Sequence, residues 1–156
     1  MMASPFDLIF GLSAISFNLL VAGVLIAWRQ GKQVLARRLG MWIVVLGIPF
    51  GAVLYHSLAA GSNQYVRIAL AVVLGYILTE LLLDFVLKHD FRAKWLTHLP
   101  YIVLEYAAFI GLIYVGFTVS DFLGWAISAT FWAALAALIY YLSGRKQNKQ
   151  KSRKKR

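Results

Sequence analysis

The chain contains no cysteine. Disulfides, thiolate metal sites and a cysteine nucleophile are therefore excluded, while the redox compartment stays open. It has no Asn-x-Ser/Thr sequon, so glycosylation gives no guide to location. It has no HExxH, no Glu-x-x-His and no zinc-ligand spacing. Charge is scarce as well. Charged residues make up 14% of the 156, where a soluble domain carries about 25%. Only six residues are acidic.

What the chain does have is apolar surface, at 61% hydrophobic residues. A soluble domain of this size buries only part of its chain and could not hide so much. The surplus needs an apolar solvent, and lipid supplies one. Five apolar runs stand out, at 6–28, 39–60, 66–87, 99–119 and 122–142. Each is close to the roughly 20 residues that a helix needs to cross a bilayer. Irregular backbone in lipid would leave N–H and C=O groups unsatisfied, so each run is expected to be a helix. Short connections make neighbours antiparallel. The first run is not a secretory signal, because no Lys or Arg precedes it and it is long enough to span. The fold class is all-α: a polytopic bundle of five spans over 1–144, followed by a basic, low-complexity tail over 145–156 expected to be disordered.

The net charge of +10 is unevenly placed. Arg29, Lys32, Arg37 and Arg38 lie in the first connection, Lys88, Arg92 and Lys94 in the third, and eight more basic residues in the tail. With five spans these regions share a side, and only Arg67 falls on the other. The positive-inside rule makes that side cytoplasmic and the N-terminus external, and the bias argues against dual topology. Trp28, Trp42, Trp95, Tyr140 and Tyr141 fall at the expected inner interface, Tyr65 and Trp125 near the outer one, where such rings favour the headgroup level. The expected location is the cytoplasmic (inner) membrane of a prokaryote.

Small residues mark candidate seams. Gly47 and Gly51 form a GxxxG in the second run, with Pro49 inside it to kink the helix. Ala129, Ala133 and Ala137 make a stripe in the fifth.

The residues with most chemistry are acids inside apolar runs. Glu80 and Asp84 are four apart and share a helix face, which Tyr76 and Lys88 extend. His98, Tyr101 and Glu105 share a face of the next helix. Glu80 lies eight residues from Lys88, about 12 Å into its helix, and Glu105 about 10 Å beyond His98. The two helices are joined in a hairpin, so Glu80, Asp84 and Glu105 are expected to converge in the cytoplasmic half of the membrane. Three carboxylates there need a cation, protons or reaching basic chains. A divalent metal ion would take Glu80, Asp84 and Glu105, with His98 as a nitrogen ligand. Protonated acids would suit a relay. The plain alternative is internal ion pairing, with Lys88 four residues after Asp84 and Arg92 or Lys94 folding back. His56 and Asn18 extend the polar set outward, either as a path from His56 through Asn18 to the acids or as simple interhelical hydrogen bonds.

In size and span number the chain resembles the tryptophan-rich sensory protein and translocator family. The connection 29–38 holds neither the Trp nor the Pro that crowd that family's first loop, so no residue role follows from the resemblance.

The leading functional expectation is a cation- or proton-coupled transporter or channel. One alternative is a metal-dependent enzyme on a lipid substrate, with His89, His98 and Arg92 beside the acids. Another is an accessory subunit of a larger membrane complex, or a homo-oligomer. The tail is expected to attract anionic lipid headgroups. No aromatic residues interleave its charges for base stacking, so nucleic acid is not an expected partner.

Overall fold

The computed structural model describes the backbone of residues 4–86 and 95–153, and the side chains of 4–83 and 100–143. Among the described residues there is helix and no strand. The elements are α1 (Pro5–Arg29), α2 (Gln33–Val45), α3 (Gly47–Ala59), α4 (Gln64–Glu80), a π-helical turn (Leu81–Val86), α5 (Trp95–Val119) and α6 (Asp121–Arg153). Five stretches are long and apolar enough to cross a membrane: Pro5–Arg29, Gln33–Ala59, Gln64–Leu83, Pro100–Val119 and Asp121–Ser143.

Local chemistry sets the ends. Ser4 and Asp7 form a reciprocal capping box at the start of α1, with Pro5 in the first turn. Gly31 (φ +72°) and Gly61 (φ +64°) end α1 and α3 in the left-handed region, which only glycine enters freely. At each, the next N–H reaches back five residues, Lys32 to the Ala27 carbonyl and Ser62 to that of Ser57.

The second span is broken. Pro49 has no N–H for the Val45 carbonyl, and the helix is interrupted at Leu46, between α2 and α3. The span also begins at Gln33 instead of at 39, because the helix extends back through Gln33 to Arg38, where apolar Val34, Leu35 and Ala36 lie between Gln33 and the arginines. At the other end of the chain, α6 runs on to Arg153, through the stretch expected to be disordered. Lys, Arg and Gln are good helix formers, and one Gly144 costs only about 1 kcal/mol.

The bundle is apolar on its outside as well as in its core. Phe122 is 85% exposed and Ile48 76%, while Asn18 is fully buried and Glu80 is 5% exposed. An apolar outer surface, with the few polar side chains such as Asn18 and Glu80 turned inward, is the pattern that lipid selects.

Each seam has a register. Gly11 of α1 meets Leu123 of α6, Asn18 meets Ile127 and Thr130, and Trp28 meets Tyr141. Both numbers rise together, so α1 and α6 run parallel. Arg29 adds a cation–π contact with Tyr140, 4.9 Å from the ring centre. The end carrying these residues and the α1–α2 turn is the basic end of the bundle. Gly111 of α5 lies against Ala69 of α4, where an added Cβ would sit 3.3 Å from that of Ala69. Gly116 and Gly124 bring α5 and α6 into backbone contact. Gly47 faces Ile77, whereas Gly51 faces open space. In the alanine stripe Ala137 is buried, but Ala129 and Ala133 are exposed. The buried face of α6 runs instead through Gly124, Ile127, Ala134 and Ala137.

Candidate functional site

Two helices build the site. On α4, Tyr76 and Glu80 are one turn apart and both buried. On α5, Tyr101 is buried and Glu105 follows one turn later, partly buried. The Tyr101 hydroxyl donates to the Glu80 carboxylate. The hydroxyls of Tyr76 and Tyr101 are 2.9 Å apart, and their rings 5.5 Å apart. A phenol has one proton to give. Tyr101 gives its own to Glu80, so Tyr76 is the donor between the two phenols. The result is a directed chain from Tyr76 to Tyr101 to Glu80.

Glu105 belongs to the same place. The carboxylates of Glu80 and Glu105 both lie within electrostatic reach of the Tyr76 hydroxyl. The structure thus joins Tyr76, Tyr101 and Glu80 by hydrogen bonds, with Glu105 one turn after Tyr101 on α5. Asp84 and His98 lie outside the described side chains, as do Lys88, His89, Arg92 and Lys94. Among the described residues no three His, Asp or Glu side chains gather as a metal site would require. The full expected ligand set includes Asp84 and His98, and so lies partly outside those residues.

Backbone irregularities flank the bond between Tyr101 and Glu80. The π-helical turn starts at Leu81, the residue after Glu80. Pro100, the residue before Tyr101, has no N–H for the Leu96 carbonyl. Single π turns of this kind recur at functional sites. On the far side, aromatic rings close over the cluster. Phe17 of α1 meets Tyr76 edge to face at 5.6 Å and Phe109 at 5.7 Å. Phe17 also meets Phe50, which in turn meets Phe10.

The other polar residues have separate partners. Asn18 donates its amide to the Ile127 carbonyl at 3.1 Å and to the Thr130 hydroxyl at 2.8 Å, across the seam with α6. Its Oδ1 is buried without a hydrogen-bond partner. His56 stacks on Phe6, ring centres 3.8 Å apart and planes 15° apart. Replacing Asn18 with leucine removes two hydrogen bonds and one orphaned acceptor together. In lipid such bonds average well under 1 kcal/mol, so the stability change is expected to stay below about 1 kcal/mol. Unfolding in mixed micelles measures it, and a loss of twice that would mean that Oδ1 has a partner in solution.

Sequence reasoning found Tyr76, Glu80, Tyr101 and Glu105 by helical spacing, but as two faces and not as one chain of hydroxyls. It missed Thr130 as the partner of Asn18, and Phe17 as the ring over Tyr76. A Tyr-x-x-x-Glu repeat in both helices, at 76–80 and 101–105, was the available signal. No family model matches the sequence, and no curated protein or solved structure is significantly similar to it.

Proposed function

We propose that this is an integral membrane carrier or channel that couples to a cation or proton at Glu80. The observation that carries the reading is a carboxylate buried among apolar helices, held by a phenol chain and not left at the surface. A buried carboxylate is costly in lipid, and residues of this kind mark ion pathways and proton relays. Glu105 is a further acid of the proposed site, and Asp84 and His98 belong to it by helical spacing alone. The basic end faces the cytoplasm by the positive-inside rule, with the N-terminus outside. That orientation places Glu80 in the inner half of the bilayer and the basic tail against anionic headgroups.

The test is ion flux in liposomes containing the purified full-length chain. A pH gradient and, separately, Na+ and K+ gradients are imposed, with a pH dye trapped inside. The wild type is expected to dissipate at least one gradient faster than protein-free liposomes. Glu80→Gln keeps the shape and removes the charge, and is expected to lower that flux at least tenfold. Equal flux in the variant and wild type, or no flux above empty liposomes, would overturn the reading.

A further inference from the structure

Rings from all five spans meet in the middle of the bundle, around Phe17. Phe17 of α1 lies edge to face with Phe50 of α3 at 6.3 Å, with Tyr76 of α4 at 5.6 Å and with Phe109 of α5 at 5.7 Å. Phe109 carries the layer on to Phe131 of α6 at 5.3 Å. Phe17 and Phe50 are fully buried, and Phe109 is nearly so. The layer lies on the outer side of the site. Phe109 follows Tyr101 by eight residues, about 12 Å outward along α5. The chain of hydroxyls that starts at Glu80 and runs through Tyr101 stops at this layer. Among the described residues no hydrogen bond continues it past Tyr76, and the ring against Tyr76 there is Phe17. Farther outward, Ala14, Leu70, Val73 and Leu112 are fully buried and apolar.

We infer that Phe17 is the outer gate of the Glu80 site: its ring closes the site to the outer half of the membrane, and the coupling ion passes only when that ring turns aside. The inference rests on the reading of Glu80 as the coupling site. A carrier that works by alternating access cannot keep a polar path open to both sides at once, so one side has to be shut. A constriction of apolar rings shuts a path by excluding water, with no charge needed to seal it. Phe17 suits that role because it touches rings on three other helices, the last phenol of the hydroxyl chain among them. Those contacts are side chain against side chain, and a change of rotamer opens them. The α5–α6 seam is backbone against backbone at Gly116 and Gly124 and has no such freedom. In the structure the site is closed outward.

Thiol accessibility tests this. The chain has no cysteine, so a single introduced thiol reports alone. Val21 is buried one turn inward of Phe17 on α1, and Val21→Cys places the thiol behind the gate. The full chain is reconstituted in liposomes, vesicles whose basic tails are protected from external protease are taken, and a membrane-impermeant thiol reagent is added outside. With Phe17 in place the thiol is expected to react slowly. Phe17→Leu, Phe17→Val and Phe17→Ala are expected to speed the reaction progressively, at least tenfold for alanine. Three sizes leave a readable series when the alanine variant fails to fold. Leu112→Ala truncates another fully buried side chain, outward of Phe109, and is expected to leave the rate unchanged. Rapid reaction with Phe17 present, or a flat series, overturns the inference. Equal acceleration by Leu112→Ala overturns it too, since Phe17 would then be ordinary packing. Flux is scored apart. A graded series with no flux in the wild type refutes the carrier and leaves Phe17 as a water barrier, whereas flux that depends on Glu80 with a flat series refutes the gate alone.

Discussion

Replacing Phe17 with alanine is expected to destabilise the bundle by about 2–4 kcal/mol. Phe17 is fully buried and touches three helices besides its own, through Phe50 on α3, Tyr76 on α4 and Phe109 on α5. In a water-soluble core a Phe-to-Ala change costs about 3–5 kcal/mol. Part of that is transfer from water, which is absent when the unfolded helix also sits in hydrocarbon. What remains is the cavity and three edge-to-face pairs, each worth about 0.5–1.5 kcal/mol. Unfolding in mixed micelles with increasing denaturing detergent reads the change directly. A loss under about 1 kcal/mol would show that the rings are not close-packed in solution.

A second large effect is expected where no side chain is present. Gly116 lies so close to α6 that an added Cβ would sit 3.1 Å from the Gly124 Cα and 2.8 Å from a methyl of Ile127. Only Ser120 separates α5 from α6, so the helices cannot part locally to make room. Gly116→Leu forces a whole side chain against backbone, and overpacking of even ordinary cores costs about 1–3 kcal/mol. The expected outcome is a protein that fails to elute as one species, or unfolds at far lower detergent. Gly51→Leu is the control, because nothing lies within 4 Å of its added Cβ. It is expected to behave as wild type. Equal damage from both would mean that the α3 face around Gly51 is covered in solution.

The two glycines show what a sequence carries and what it withholds. Gly51 belongs to a recognisable GxxxG, and Gly116 to none. Spacing marks residues that share a helix face, but which face meets a neighbour depends on all the helices together. For the same reason Ala129 and Ala133 pointed to a seam and turn outward. The helices themselves were legible, because a run of apolar residues in lipid has few other ways to satisfy its backbone. The interruption at Leu46 was legible too, since a proline removes a known hydrogen bond. The π-helical turn after Glu80 was not, because the four-residue spacing of Tyr76, Glu80, Asp84 and Lys88 reads as unbroken α-helix. At the site, the faces of Tyr76 and Glu80 and of Tyr101 and Glu105 could be read from four-residue spacing. Their pairing could not, because it depends on a register set at Ala69 and Gly111, two or more turns away.

The parallel seam of α1 with α6 has a consequence for biosynthesis. Among the described residues it is the most extensive helix pair. The ribosome makes α1 before all the others and α6 after them. The largest contact of α1 is thus withheld until every intervening span has entered the membrane, while the amide of Asn18 waits without Ile127 and Thr130. Hairpins between neighbours, such as that of α4 with α5, are free to form as they emerge. Pairing of the earliest helix with the latest therefore comes last in the order of synthesis. A chain stalled before α6 would present its longest unfilled groove to insertases and quality-control proteases.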